Sequence, residues 1–140
     1  MGQIYAAVDI GSNTTHLLVG QVFRGKLKRI RNESEWLGLG AEVARSKAIS
    51  EATLENVIAT LNRYRALAAG DKAVGIYVFA TEAMRSAANG PKILAQIEAR
   101  TKLKVDVVGG LREAELGLRG AVIDTKPSGT FHFAEVGGGS

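Results

Sequence analysis

Two turns of similar composition, one near each end of the chain, constrain the fold more than any other feature of this sequence. They lie at residues 9–14 (DIGSNT) and 135–140 (EVGGGS). In each turn a carboxylate closes an apolar, strand-like run, and glycine and hydroxyl residues follow. Backbone N–H groups in such turns can face an anion. Together the two turns predict a clamp for phosphate.

The first part of the chain has the pattern of three antiparallel strands. The strand-like runs occupy residues 4–8, 17–23 and 26–33. Arg24 and Gly25 form the turn of a hairpin between the second and third runs. A glycine-punctuated segment at residues 36–40, which holds the only tryptophan, then predicts a loop that leads into a polar stretch ending at Ser50.

Helices and strands alternate through the rest of the chain. Ser50 predicts the N-cap of a helix that Gly70 closes. Further strand patterns lie at residues 73–80, 105–108 and 130–136, and helix patterns lie at residues 81–88, 93–102 and 110–122. The order predicts an α/β fold with a mixed sheet, in which a three-stranded antiparallel meander is followed by parallel strands and helices. A carboxylate-glycine turn at both ends of one sheet is the plan of the ribonuclease H-like (actin-like) fold.

Composition excludes several classes of site. The chain has 140 residues, of which 46% are hydrophobic, so it has the size of one domain with its own core. It has no cysteine and only two histidines, which argues against disulfides and zinc sites. No signal-peptide pattern or membrane span is visible, so we expect a cytoplasmic protein without a membrane partner.

The charge of the chain favours anionic ligands without pointing to nucleic acid. The net charge is +4 with an isoelectric point near 9.6, but the aromatic content is only 6% and the basic residues are dispersed. The nearest approach to a basic run, residues 24–31, alternates with Leu27 and Ile30 as one solvated face of a strand does. We therefore expect no nucleic-acid partner, with nucleic-acid contact as the alternative interpretation of that run.

Four segments resemble the motifs of the exopolyphosphatase and guanosine pentaphosphate phosphohydrolase (Ppx/GppA) family. Residues 9–14 resemble its opening motif, and residues 80–85 (ATEAMR) resemble its Ala-Thr-x-Ala-x-Arg segment. Residues 110–114 (GLREA) resemble its Gly-x-Glu-Glu-Ala segment, and residues 135–140 resemble its Asp-x-Gly-Gly-Gly-Ser turn. Because a second actin-like domain follows the glycine turn in this family, the resemblance implies that residues 1–140 are the first actin-like domain of a two-domain phosphatase.

The resemblance implies that the full-length protein hydrolyses phosphoanhydride bonds of inorganic polyphosphate or guanosine pentaphosphate. It leaves open whether that protein forms a homodimer. Phosphate would be held by residues of the two turns, namely Gly11, Ser12, Asn13, Thr14, Gly137, Gly138, Gly139 and Ser140. Asp9 and Glu135 would hold Mg²⁺, because hard oxygen ligands suit that ion. Glu113 would orient or deprotonate the attacking water, and Arg85 would contact a phosphate oxygen with its fork of donors. We expect little activity from residues 1–140 alone.

Three of these residues also have a structural interpretation. Asp9 is alternatively a turn carboxylate, Glu113 a first-turn glutamate favoured by the helix dipole, and Arg85 an exposed helix arginine.

Four further residues carry weaker functional signals. Thr81 would either cap the following helix or touch phosphate. His16 and His132 are expected to be strand residues without a catalytic role. Trp36 is expected to pack in the core or an interface, with a place beside the site as its alternative.

Four positions depart from the family's motifs. Glu135 stands where the family has aspartate and Arg112 where it has glutamate, while Trp36 and Leu39 replace an arginine and a glutamate. Because the first turn and the two catalytic candidates are unchanged, phosphate binding is better supported than turnover. The second hypothesis is therefore a catalytically weak protein that binds polyphosphate, guanosine pentaphosphate or ATP as a sensor or regulatory module, and the third is an actin-like kinase of small molecules.

Overall fold

The computed structural model describes residues 2–123, 125, 127–130 and 132–134. Five strands are found in this part of the chain, and they are β1 (Ile4–Ile10), β2 (Thr14–Phe23), β3 (Lys26–Trp36), β4 (Gly75–Ala80) and β5 (Val105–Val107). Five helices connect or follow them, and these are α1 (Leu39–Ser46), α2 (Glu51–Gly70), α3 (Glu82–Ser86), α4 (Gly90–Thr101) and α5 (Gly110–Val122).

The strands form one mixed sheet in the order β3-β2-β1-β4-β5. β1 pairs with β2, and β2 with β3, in antiparallel register. β4 lies parallel to β1 on its other side, and β5 lies parallel to β4. The predicted antiparallel meander followed by parallel strands is therefore confirmed. β1, the first strand in the chain, is the central strand of the sheet, which explains its nearly continuous apolar sequence.

One face of the sheet carries the hydrophobic core. Alternate residues of a strand point to opposite faces, and the side chains that point to the core face from β1 and β2 are fully buried, namely Ala6, Val8, Ile10, Leu17 and Val19. Helix α2 packs against β1 and against α4, and α1 packs against α3. The opposite face of the sheet is more open, because Tyr5, His16 and Tyr77 on it are exposed.

Helix α2 has the beginning and the anchor that its sequence predicts. The Ser50 hydroxyl accepts a hydrogen bond from the Thr53 amide at 3.2 Å, as an N-cap does. Tyr64, which is fully buried, donates its hydroxyl proton to the Thr15 carbonyl at 2.9 Å. The helix is thus held to β2 both by its apolar face and by a buried hydrogen bond.

Two elements differ from the sequence-based expectation near β3. The segment predicted as a loop and polar stretch contains α1, which buries only Leu39 and Val43, one helical turn apart. Two large apolar residues in eight are too few for a helical period to stand out from the sequence. β3 also continues to Trp36, beyond its predicted end at residue 33, because β2 offers it a pairing partner as far as Thr14.

The predicted final strand at residues 130–136 is wrong where the structure describes it. Residues 130 and 132–134 have no strand conformation and are exposed, and they pair with none of the five strands. An apolar-polar alternation needs a neighbouring strand to bond its backbone groups, and a sequence pattern cannot supply one. Residues 131, 135 and 136 lie outside the described part.

None of the described helices combines the length and the hydropathy that a bilayer crossing requires.

Candidate functional site

The first turn lies at the edge of the sheet where the parallel strands end. Ile10, the last residue of β1, is in register with Ala80 at the end of β4, and Ala80 is in register with Val107 at the end of β5. β2 begins at the same edge with Thr14. In open α/β sheets, ligands bind outside the carboxyl ends of the parallel strands. The segments that follow these three strands therefore surround one candidate ligand-binding position.

The first turn is closed by a backbone hydrogen bond and leaves amides available. The Gly11 amide donates to the Thr14 carbonyl at 3.0 Å, and a Cβ on Gly11 would lie 2.9 Å from that oxygen. In the described part of the chain, the amides of Ser12 and Asn13 donate to no backbone carbonyl outside the regular elements. Consecutive free amides in a tight turn form an anion-binding concavity. This turn is thus able to receive a phosphate oxygen.

A second loop, at residues 37–40, holds the first turn in place through backbone hydrogen bonds. The amides of Leu37 and Gly38 both donate to the Asn13 carbonyl at 2.9 Å, and the Gly40 amide donates to the Ser12 carbonyl at 2.6 Å. The C=O and N–H groups of one trans peptide point in opposite directions. Because the Ser12 carbonyl points toward this loop, the Asn13 amide points away from it. The loop at residues 37–40 therefore sets the direction of the Asn13 amide.

Asp9 stands next to the first turn on the open face of the sheet. It is half-buried, and its register partners are His16 in β2 and Phe79 in β4. Its Oδ1 atom is buried and lies 4.0 Å from the position that a Cβ on Gly11 would take. The carboxylate is therefore placed beside the position that an anion on the first turn would take, as a residue that holds a metal between protein and phosphate would be.

The carboxylate at Asp9 fits the way in which proteins bind Mg²⁺. Among the described residues there is no group of three or more metal-ligating side chains. Mg²⁺ usually takes only one or two protein carboxylates and completes its shell with phosphate oxygens and waters. A single carboxylate beside an anion-binding turn suits that arrangement. Glu135, the other predicted ligand, lies outside the described residues.

The two predicted catalytic side chains lie in direct contact. Arg85 is on α3, which follows β4, and Glu113 is in the first turn of α5, which follows β5. Nη1 of Arg85 donates to Oε2 of Glu113 at 3.1 Å. Helices that follow adjacent parallel strands begin at the same edge of the sheet, which is why residues 28 positions apart meet here.

Arg85 is held by a network of acceptors. It donates to Glu82 from both Nε, at 3.2 Å, and Nη2, and it donates to the Val108 carbonyl from Nη1. Partial burial alone would lower the pKa of the Arg85 guanidinium, but hydrogen bonds to Glu82 and Glu113 outweigh this and raise that pKa. The side chain is only 25% exposed. The alternative interpretation of Arg85 as an exposed helix arginine is therefore wrong.

Glu113 keeps one oxygen available. Its amide donates to the Gly109 carbonyl at 2.9 Å within the first turn of α5, so the dipole of the helix also favours its charge. Its Oε2 atom accepts from Arg85, and the side chain is 33% exposed. Among the described residues, none donates a hydrogen bond to the other oxygen, Oε1.

Thr81 connects two elements of this edge. It is buried, and both its amide and its hydroxyl donate to the Ile10 carbonyl, at 3.3 and 3.5 Å. Its side chain makes no capping hydrogen bond to α3, so the predicted helix-cap role is wrong. Thr81 instead joins the end of β1 to the beginning of α3.

The aromatic and histidine predictions near the site have mixed outcomes. His16 is a strand residue, as expected, and its Nε2 lies 2.7 Å from the Thr14 hydroxyl. Trp36 is 69% exposed at the end of β3, so its predicted packing in the core of this chain is wrong. His132 is exposed and lies outside any strand. The predicted phosphate ligands of the second turn, Gly137, Gly138, Gly139 and Ser140, lie outside the described residues.

Sequence reasoning missed the residues that hold the catalytic candidates. The sequence-based prediction includes no role for Glu82. Its position three residues before Arg85 in a helix does, however, favour an ion pair between the two side chains. The bracing of Asn13 by the amides of Leu37 and Gly38 had no such signal, because backbone donors are independent of residue type.

The sheet order and the site at its carboxyl edge define an actin-like, ribonuclease H-like α/β domain. A model of the Ppx/GppA phosphatase family matches residues 18–140. The chain therefore belongs to the Ppx/GppA phosphatase family.

Solved structures of this family have the same fold. The chain is 29% identical to the Aquifex aeolicus PPX-GPPA enzyme, with a TM-score of 0.84 over 91% of this chain and 42% of that one. It is also 29% identical to an exopolyphosphatase from Cytophaga hutchinsonii, with a TM-score of 0.78 over 85% of this chain and 38% of that one.

The curated relatives are considerably longer than this chain. It is 28% identical to a bifunctional 3-dehydroquinate synthase/phosphatase of Fusobacterium nucleatum, over 96% of this chain and 22% of that protein. It is 26% identical to exopolyphosphatase 1 of Mycobacterium leprae, over 78% of this chain and 32% of that protein. The chain thus spans about a third or less of the length of these relatives.

Proposed function

We propose that the protein hydrolyses the phosphoanhydride bonds of inorganic polyphosphate or guanosine pentaphosphate, as the first domain of a two-domain cytoplasmic phosphatase. The observation that carries this proposal is the contact between Arg85 and Glu113 at the same sheet edge as the first turn. Membership of the Ppx/GppA phosphatase family supports it. A phosphoanhydride hydrolase needs neutralised phosphate charge and a positioned water, and the described residues offer groups for both.

In this proposal the backbone of the first turn holds a phosphate. The amides of Ser12 and Asn13 are donors, Thr14 adds a hydroxyl, and the second turn at residues 137–140 contributes further donors. Asp9 and Glu135 hold Mg²⁺, which supplies positive charge against the phosphate oxygens when it is bound. Arg85 adds a fixed cation at the far side of the site.

Glu113 positions the attacking water in this proposal. A guanidinium has five N–H donors, and Arg85 uses four of them on Glu82, Val108 and Glu113. Arg85 therefore fixes the Oε2 side of Glu113 and keeps one N–H for a phosphate oxygen. The Oε1 side of Glu113 accepts a proton of the water. A general base of this kind contributes about 10²- to 10⁴-fold to a rate.

The experiment is a phosphate-release assay on the full-length protein with Mg²⁺ and each substrate. We expect Glu113→Gln to reduce turnover at least about 100-fold, because the amide cannot accept the proton. Glu115→Gln is the matched control, since Glu115 lies on the same helix and, among the described residues, pairs only with Arg112 and Arg119. Unchanged turnover in Glu113→Gln would show that Glu113 does not position the water.

The second candidate is a sensor that binds the same ligands without efficient turnover. Two observations favour it. Glu82 and Glu113 both neutralise the charge of Arg85. Arg112, which replaces a family glutamate, forms its ion pair with Glu115, at 2.7 Å, and not with Glu113. Tight binding of either substrate without phosphate release by the full-length protein would establish this candidate and reject hydrolysis.

A further inference from the structure

The side chains of Thr14 and His16 meet at the beginning of β2. The two residues are alternate positions of one strand, so their side chains point to the same face of the sheet. Nε2 of His16 lies 2.7 Å from the Thr14 hydroxyl oxygen, which is the distance of a hydrogen bond. The Thr14 carbonyl accepts from the Gly11 amide at 3.0 Å, so this hydroxyl belongs to the closed first turn. The imidazole of His16 therefore contacts a polar group of that turn directly.

The sheet sets the position of His16. β2 is paired on both sides, and the register partners of His16 are Asp9 in β1 and Ser34 in β3. The next residue, Leu17, is fully buried in the core. A side chain carried by such a strand is held more precisely than one carried by a loop. His16 can therefore act on the orientation of the Thr14 side chain.

The direction of the hydrogen bond between His16 and Thr14 decides what the hydroxyl can offer a phosphate. A hydroxyl has one hydrogen to donate, whereas an ionised phosphate oxygen can only accept. If the hydroxyl donates to Nε2, it has no hydrogen left and presents only lone pairs to the phosphate. If it accepts from Nε2–H, it keeps its hydrogen for the phosphate, and the bond that it accepts makes it a stronger donor. A phosphate on the first turn therefore favours the form of His16 with a proton on Nε2.

We infer that His16 donates from Nε2 to the Thr14 hydroxyl and thereby turns the hydrogen of that hydroxyl toward a phosphate of the substrate. The inference rests on the proposed function, because it uses Thr14 as a phosphate donor. His16 acts through Thr14, so it is a positioning residue and not a catalytic one. Its effect is the same for inorganic polyphosphate and for a nucleotide, because only the phosphate is involved.

A double-mutant cycle on the full-length protein tests this inference, with the affinity for inorganic tripolyphosphate and Mg²⁺ measured by calorimetric titration at one pH. Thr14→Val replaces the hydroxyl by a methyl group and should weaken binding about tenfold, a modest loss for a hydrogen bond to a charged group. His16→Leu should weaken binding about fivefold, because the hydroxyl is no longer polarised or held in one orientation. In the Thr14→Val background, His16→Leu should have no further effect. His16→Gln, whose amide is again a donor, should retain most of the affinity.

Asn32→Leu is the matched control. Asn32 is exposed on β3 and is the register partner of Leu18, so the variant adds a leucine to the same face of the sheet without touching Thr14. Its affinity should stay within about twofold of the parent. An unchanged affinity in His16→Leu would overturn the inference, and so would an equal loss from His16→Leu with and without the Thr14 hydroxyl, or a loss in His16→Gln as large as in His16→Leu. In each case binding of tripolyphosphate by the parent would leave the proposed function standing. Absence of binding in the parent would reject the proposed function together with the inference.

Discussion

The close approach of residues 37–40 to the first turn predicts that one added methyl group at Gly40 weakens phosphate binding. A Cβ on Gly40 would lie 2.8 Å from the Cβ of Ser12 and 3.3 Å from its carbonyl oxygen. The first distance is shorter than packed atoms tolerate and the second is tight, and Ser12 is buried, so the backbone of one segment has to move. The hydrogen bond from the Gly40 amide to the same carbonyl is then lengthened or lost.

The expected magnitude follows from three contributions. Overpacking costs about 1 to 3 kcal/mol, and a lost hydrogen bond costs about 1 kcal/mol. Alanine stabilises a helix by up to about 1 kcal/mol over glycine, and Gly40 lies in the first turn of α1. Gly40→Ala should therefore lower the free energy of unfolding by about 1 to 3 kcal/mol. Because the Asn13 amide belongs to the displaced peptide, we also expect tripolyphosphate to bind about tenfold more weakly, which corresponds to about 1.4 kcal/mol.

Urea unfolding followed by circular dichroism measures the stability, and calorimetric titration with tripolyphosphate measures the affinity. Gly120→Ala is the matched control, because no described residue lies within 4 Å of a Cβ at Gly120 and the residue is in the last turn of α5. We expect it to keep the affinity and to raise the stability by up to about 1 kcal/mol. A Gly40→Ala protein that binds tripolyphosphate as tightly as the parent would refute the bracing of the turn.

Two further predictions concern stability. Tyr64→Phe removes the donor to the buried Thr15 carbonyl and should lower the free energy of unfolding by about 1 to 3 kcal/mol in urea, while the exposed Tyr77→Phe should leave it unchanged. Burial alone would raise the pKa of Glu42, but hydrogen bonds from Ser50 and Thr53 outweigh it and lower that pKa. Such a carboxyl stabilises the fold fully above its ordinary pKa of 4.5 and ceases to do so as the pH falls through the lowered value. In Glu42→Gln the melting temperature should therefore fall less steeply as the pH is lowered through that acid range. Identical slopes of melting temperature against pH in the variant and the parent would contradict this.

The strands and their antiparallel meander were predictable from the sequence because they follow from local patterns. The apolar runs of β1 and β4 mark buried strands, and the Arg24-Gly25 turn determines an antiparallel hairpin. The helix that begins after Ser50 has both a cap and a long apolar stripe. Each of these signals lies within one element or between two consecutive ones, so no tertiary contact is needed to interpret it.

The site was predictable only in part, because its contacts join distant segments. The resemblance identified Arg85 and Glu113, but their mutual contact depends on how α3 and α5 leave adjacent strands. The exposure of Trp36 was not predictable, since an aromatic residue at a strand end is compatible with core and surface alike. The failure of the final strand has the same cause, because a pattern of alternation does not reveal whether a neighbouring strand exists.

The proposed phosphate binding and water positioning depend on parts of the molecule that are held by unequal numbers of contacts. The first turn follows the central strand and is braced by backbone bonds from residues 37–40, so its amides are fixed by the core. Glu113 belongs to α5, in which no residue is buried and Leu111 is 90% exposed. Segments with so little buried apolar contact open at low free energy. The bonds from Arg85 to Glu113 and to the Val108 carbonyl before α5 are therefore what hold the Glu113 carboxylate in place. If Glu113 positions the water as proposed, loss of Arg85 should affect turnover more than phosphate binding.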